Sequence, residues 1–404
     1  MEREYAFLSH MIPLENKGDV KKNSRRSMQD AADALQWHIY NGLCQNFEKP
    51  IKIINFIPIY SYPQYYRKAF VKKTYFDSKY ESENINIGFC NIKLIRTFSK
   101  KNRAYCALKE WVTHNDAPKT VFLYTASGAF LEAIQRLKKK YDIEVCVIIA
   151  DLPNMRSLSS KKNVLRRCYE SVCSKNVYSL LHLVDYYVLL TKQMAEYLHI
   201  DKPYCVMEGI ATESEEFETP NYDNSIKTVF YAGTLHRRFG VLNLVEAFMQ
   251  IPDPSYQLIL CGVGDCEKEI IECSKKDRRI KFYGQLPRTE VLKLQSTSTV
   301  LVNPRQNGEE FTKYSFPSKN LEYLSSGIPF VAYKLDGMPD EYDDYIFYVN
   351  DNSIDALKNT IMQICEYTAD ERQAIGLRAR SFVSTFKNEV VQTKKICNLV
   401  DKKD

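Results

Sequence analysis

Short runs of β-branched and aromatic residues alternate with stretches of helical period along most of the chain. The apolar runs predict strands at 5–9, 52–58, 120–124, 145–150 and 186–190. A second series follows at 227–232, 257–261, 281–283, 299–302 and 329–332. Between them, apolar residues recur at helical spacing over 128–140, 191–198, 241–250, 266–275 and 289–295. Strand–helix alternation of this kind predicts parallel sheets covered on both faces. Residues 15–35 and 60–86 are polar without clear period and read as long loops over the ligand edge of the first sheet.

Each series is large enough for its own doubly wound domain. The stretch ATESEEFETPNYDNS, acidic and interrupted by Pro220, separates them and reads as a linker. The expectation is an α/β protein with a first domain over 1–212, a linker over 213–225 and a second domain over 226–385. A final helix over 386–404 is placed to pack back on the first domain.

Open α/β sheets bind ligands at the carboxyl ends of their strands, so the residues just after each predicted strand carry the chemistry. In the second half, the first such turn holds Gly233, Thr234, Arg237, Arg238 and Gly240. Arginine forks match phosphate oxygens in pairs. The next turn holds Gly262 and Gly264, where a ligand can approach the backbone, and a third ends at Phe282 and Gly284. The most informative stretch is EEFTKYSFPSKNLEYLSSGIPFVAYKLDG over 309–337. There Ser315, Phe316, Pro317, Ser318 and Lys319 lead into a short helix closed by Gly327. A helix start offers N–H groups and a positive dipole end to a phosphate. Glu322, one turn further on, can accept hydrogen bonds from a ribose diol.

Bulk composition narrows the class. With 404 residues, 45% hydrophobic and 26% charged, the chain has the make-up of a globular protein. The start MEREY is polar with no apolar run behind it, and nothing approaches the roughly 18 apolar residues of a spanning helix. A cytoplasmic protein is expected. Twelve cysteines and six histidines lie scattered, without Cys-x-x-Cys pairs, so reduced thiols are expected and no metal site.

The net charge of +6 is uneven: residues 1–219 hold 32 Lys+Arg against 25 Asp+Glu, and the remainder 24 against 25. The basic half implies an anionic partner there. No nucleic-acid motif accompanies that charge, so no nucleic acid is expected. The segment NMRSLSSKKNVLRRCYESVCSK offers Lys161, Lys162, Arg166 and Arg167 with Leu165, Tyr169 and Val172 at helical spacing. A basic amphipathic helix can rest on an anionic membrane surface at the inner face.

The order YAGTL, GVLNLVEAF, LILCGVGD, RIKFYGQLPRTEVLKLQ, LVNPR and FPSKNLEYLSSGIPFVA resembles the family 4 glycosyltransferases, the glycosyl transferases group 1. Among them it most resembles bacterial enzymes that build capsule, exopolysaccharide or O-antigen units. The resemblance covers 227–350, and DYYVLLTKQMAEYLHIDKPYCVMEGI is similar to the last strand and helix of the family's acceptor domain. It implies two Rossmann-like domains facing a cleft, the glycosyltransferase B fold. It also implies a retaining, metal-independent transferase that takes a nucleotide-diphosphate sugar in the second domain, with closure excluding water.

By that resemblance Glu322 binds the ribose hydroxyls, and Ser315 to Lys319 with Arg237 or Arg238 hold the diphosphate. The Gly262–Gly264 turn and Phe282 to Gly284 line the base. The acceptor, a polyprenyl-diphosphate-linked or other saccharide, belongs to the first domain. Departures from the pattern are plain. The first of the family's usual two glutamates falls at Tyr314, and its usual Arg and Lys on the first loop fall at Thr234 and Phe239. The His that many members carry after the fourth strand falls at Ala150, beside Asp151, which is the candidate to contact the donor sugar or take the acceptor's proton. The glycine-rich first loop corresponds to 13–24, where only Gly18 remains. A nucleotide-sugar epimerase of the same fold and a catalytically silent binding subunit are the alternative readings.

Overall fold

The computed structural model describes residues 2–26, 30–152, 175–211, 220–222 and 226–401. The chain forms two compact units, one of Met1–Glu208 with Glu389–Asp404, the other of Gly209–Asn388.

In the first unit the main sheet is built from β1 (Glu4–Ser9), β2 (Lys52–Asn55), β4 (Thr74–Phe76), β5 (Asn84–Asn86), β7 (Lys119–Tyr124), β8 (Ile143–Ile149), β9 (Tyr186–Leu189) and β10 (Tyr204–Val206), with β3 (Phe70–Val71) and β6 (Phe89–Cys90) forming a separate antiparallel pair. The strand order is β10-β9-β8-β7-β1-β2-β5-β4, with β4 the antiparallel member at the edge. Central strands are covered on both faces, and β7 is buried at every position. That is why they read as continuous apolar runs. Beyond β1 the chain turns on a buried amide network. Asn55 accepts from the Met11 N–H (2.8 Å), donates to the Met11 carbonyl (2.8 Å) and donates to Asn86 (2.7 Å).

Two expectations of loops are corrected here. Residues 15–35 contain the helix Leu14–Asn23 and the start of the helix Asp30–Phe47. The first of these buries only Val20 and Asn23, so it carries no apolar stripe for periodicity to detect. Residues 60–86 contain β3, β4 and β5, strands of two or three residues that are too short to show alternation. The helix Glu389–Val400 packs against Asp30–Phe47 in this unit, where Gly42 brings the two so close that a Cβ would lie 2.4 Å from the Glu389 carbonyl oxygen.

The second unit holds β11 (Lys227–Ala232), β12 (Tyr256–Cys261), β13 (Ile280–Gly284), β14 (Val300–Asn303), β15 (Phe330–Ala332) and β16 (Phe347–Tyr348), all parallel, in the order β13-β12-β11-β14-β15-β16. Its core joins Val229, Phe230, Leu258, Leu260, Val300 and Val302 of the sheet to Leu244, Phe248, Leu324 and Ile361 of the helices. Strand order reverses between β11 and β14, which opens the carboxyl edge at their loops. Ten described cysteines are free thiols.

Candidate functional site

The loops leaving β11, β12 and β13 are tied to one another beyond the ends of their strands. Gly233 donates to the Cys261 carbonyl (2.9 Å), Leu235 to Val263 (2.9 Å) and Gly262 to Gly284 (2.7 Å). Gly262 stands at φ +132°, and a Cβ there would lie 1.8 Å from the Gly233 carbonyl oxygen. Only glycine permits that approach. Gly264 lies against the Leu235 carbonyl, and its N–H donates to Glu267 (2.8 Å). Thr234 is exposed on the rim.

The turn Arg237–Phe239 ends at Gly240, φ +73°, against the carbonyl oxygen of Pro304. This contact sets Arg238 beside Arg305, which follows β14. Both guanidinium groups lie on the ring of Phe311, at 4.2 Å and 4.5 Å from its centroid. Arg238 pairs with Glu309, while Arg305 donates to Ser315 Oγ (2.6 Å). The Nε atoms of both arginines are buried without a hydrogen-bond partner. Burial, then the neighbouring Arg238, push the Arg305 guanidinium down to about 10. Arg237 points away from this pair, to Glu269, with its side chain 62% exposed. Of the two arginines read from the sequence, Arg238 therefore lies in the cluster and Arg237 lies outside it.

Ser315 continues through Phe316 and Pro317 into the helix Ser318–Ser326. Phe316 is a core residue against Tyr342, at 5.3 Å between centroids, and anchors the loop. No side chain caps the helix start; the Asn320 N–H turns back to the Pro317 carbonyl (2.9 Å), and the N–H groups of Ser318 and Lys319 have no side-chain cap. The buried Tyr323 hydroxyl accepts from the Ala232 N–H (2.9 Å) and pins the helix to the end of β11. Glu322 is 15% exposed and lies between Lys319 Nζ (3.1 Å) and Arg288 Nη1 (3.3 Å). Burial alone would raise its carboxyl, but Lys319 and Arg288 outweigh that and hold it below the ordinary glutamate range. Glu322 is therefore an ionised acceptor at neutral pH.

Phe282 is half-buried against the core, and Gly284 ends β13 at φ +64° with open space around it. In the first unit, Ala150 follows β8 directly and is half-buried, and Asp151 comes next and is exposed. Lys161, Lys162, Arg166 and Arg167 lie outside the described residues. Among the described residues no group of three or more His, Cys, Asp or Glu is placed to hold a metal ion, and no helix is long and apolar enough to cross a membrane.

Sequence reasoning passed over Arg305 and Arg288. The signal for Arg305 was its place two residues after an apolar strand, the same position that singled out the other turns. Arg288 opens a helix beyond a glycine turn, and only folding brings it to Glu322.

Residues 212–382 match the family model described as glycosyl transferases group 1. The O-antigen chain mannosyltransferase B of Escherichia coli is 24% identical over 140 residues, 33% of this chain. The match spans about a third of that curated relative, 35% of its length. Sucrose-phosphate synthase from Thermosynechococcus elongatus superposes with a TM-score of 0.65 at 16% identity over 98% of each chain. Anabaena HepE in complex with UDP gives 0.56 at 13% identity, covering 99% of this chain and 100% of that one. At such identities the likeness speaks for the fold, which is the two-Rossmann-unit glycosyltransferase B fold.

Proposed function

Since residues 212–382 belong to the glycosyl transferases group 1, we propose that the protein is a glycosyltransferase that moves a sugar from a nucleotide-diphosphate sugar to a saccharide acceptor. One observation carries this reading: Arg238 and Arg305 share the ring of Phe311, Arg238 pairs with Glu309, and Arg305 reaches Ser315, just before the helix that carries Lys319 and Glu322. Two adjoining guanidinium groups with unpaired Nε atoms call for an anion, and a diphosphate supplies one. Glu322 would take the ribose hydroxyls, and the loops at Gly262–Gly264 and Gly284 leave room for a base. The UDP carried by the HepE structure makes a uridine donor the first to try.

In the reaction the bond from the sugar's anomeric carbon to the diphosphate oxygen breaks and one to the acceptor oxygen forms. Negative charge grows on the leaving diphosphate. Fixed cations and N–H groups at Arg238, Arg305, Lys319 and the helix start would stabilise it without reorganising. The acceptor's proton passes to a leaving diphosphate oxygen on the same face or to Asp151, and the stereochemistry is retained. No divalent metal is required when side chains neutralise the leaving group. The acceptor is a lipid-linked saccharide of a bacterial surface polysaccharide. The segment with Lys161, Lys162, Arg166 and Arg167 would bring the protein to an anionic membrane, with salt-sensitive sedimentation on anionic vesicles as its sign.

A panel of nucleotide sugars, incubated with and without a polyprenyl-diphosphate-linked saccharide in EDTA, tests the reading. Acceptor-dependent release of nucleoside diphosphate with a new glycoside supports it. Epimerised nucleotide sugar, or no turnover with any donor, would establish one of the alternatives instead.

A further inference from the structure

Outside the donor site, the helix Arg96–Val112 in the first unit holds two cations one turn apart, Arg96 and Lys100, with no carboxylate paired to either among the described residues. Lys100 Nζ lies 4.6 Å from the Phe56 ring centroid and 4.4 Å from that of Phe89. The Arg96 guanidinium sits 5.9 Å from the Phe89 centroid and donates to the Ile59 carbonyl, and its Nε is buried without a partner. The adjacent Lys101, by contrast, pairs with Glu132 at 2.6 Å.

Phe56 follows β2 directly, and His10 follows β1 with Nδ1 3.3 Å from the Phe56 carbonyl oxygen. The two cations thus stand at the carboxyl edge of the first sheet, where doubly wound sheets take their ligands. Two positive groups four residues apart on a helix repel one another, and burying them unpaired is costly. Burial, and after it the charge of Arg96, hold the Lys100 ammonium well below the ordinary lysine range. Burial also lowers Arg96. A fold that tolerates this arrangement without a carboxylate is prepared for an anion from outside.

We propose that Arg96 and Lys100 form a phosphoryl-binding site in the first unit. A phosphate or diphosphate group balances both charges at the partly exposed Arg96 and Lys100 side chains, with the buried rings of Phe56 and Phe89 holding the two cations in place. That this anion belongs to the acceptor rests on the transferase reading above. The site itself does not. Two sources carry the same chemistry: a sugar phosphate and a lipid-linked diphosphate.

The test uses the full chain with Arg238→Gln, Arg305→Gln and Lys319→Gln, which removes the cations assigned to the diphosphate in the donor site, and inorganic pyrophosphate as the calorimetric probe. Binding is expected to persist in that background, to fall more than about tenfold on adding Lys100→Met, and to be largely kept with Lys100→Arg. Lys100→Met should melt no lower than its parent, because it removes an unpaired, half-buried charge. In the otherwise unchanged protein, pyrophosphate should slow acetylation of Lys100 as read by mass spectrometry, a measurement that does not depend on any variant folding. Competition by a hexose 6-phosphate against farnesyl diphosphate then separates the two sources. No pyrophosphate binding in the triple-variant background, or equal affinity with Lys100→Met and no protection of Lys100, would overturn the site. Loss of UDP binding by the donor-site variants is read separately and bears only on the transferase assignment.

Discussion

Arg305 is held on the ring of Phe311 beside a second guanidinium, with its Nε buried and unpaired. In the free protein that arrangement is a liability, which an anion from the proposed donor would remove. Charge-assisted hydrogen bonds are worth about 1.5–3 kcal/mol, or roughly ten- to a hundredfold in affinity. Arg305→Gln should therefore weaken UDP by about that factor while leaving uridine, which has no phosphate, nearly unchanged in calorimetry. Equal loss for both ligands would place Arg305 outside the diphosphate site. Glu322 makes the complementary case. Its folded carboxyl is held below the ordinary range, so the interactions it makes when ionised are fully present above that range and are lost only as pH falls through the lowered value. Uridine affinity by NMR titration should stay flat from neutral pH down through the ordinary glutamate range of about 4.3 and decline only beneath it. A decline centred near neutrality would implicate another group. Glu322 and Lys319 were legible in the sequence because loop, helix start and acidic residue follow one another within eight positions. Arg288 was not, because its partner lies 34 residues away and only the packing of two helices joins them.

At the level of elements, the apolar runs located the central strands because parallel strands covered on both faces are continuously hydrophobic. The same logic missed the helix Leu14–Asn23, whose exposed face dominates its sequence, and β3, whose two residues offer no period. The Gly18 position shows the consequence. It corresponds to a glycine-rich loop by resemblance, yet it lies inside a helix, and a Cβ at this position would meet nothing within 4 Å. Gly18→Ala should raise stability by about 0.5–1 kcal/mol, since alanine loses less entropy in a helix. Gly262→Ala meets the opposite situation, with positive φ and a carbonyl oxygen 1.8 Å from the new Cβ. It should cost at least about 2 kcal/mol and part the β11 and β12 loops. Thermal melts of the two variants, moving in opposite directions, check both. A tolerated Gly262→Ala would mean that these loops are less tightly joined than the hydrogen bonds at Gly233 and Leu235 indicate.

Across the whole molecule, the chain leaves the first unit at Glu208 and returns to it at Glu389. The final helix buries Ile396, Cys397 and Val400 in the first unit and lies against Gly42. A single apolar side chain of this kind is worth about 1.5–3 kcal/mol when buried. Ending the chain after Asn388 should therefore destabilise the first unit by several kcal/mol and expose it to proteolysis, while the second unit keeps its affinity for UDP. Equal loss in both units would show that the helix supports more than its own unit. Alternation of strands and helices made two α/β units legible from the sequence. It could not order the strands, because β5 and β4 join the edge of the first sheet by pairings that leave no mark on periodicity.

The central claim is that the carboxyl edge of the second unit grips a nucleoside diphosphate through Glu322 and its cationic neighbours. Calorimetric titration of the full chain with UDP and GDP, repeated with Glu322→Ala and Lys319→Ala and with folding confirmed by circular dichroism, tests it most directly. One nucleotide should bind without added metal, and each variant should lose at least about tenfold in affinity, as expected for removing a charged hydrogen-bonding group. Unchanged affinity in both variants, or no nucleotide binding by the unaltered protein, would contradict it.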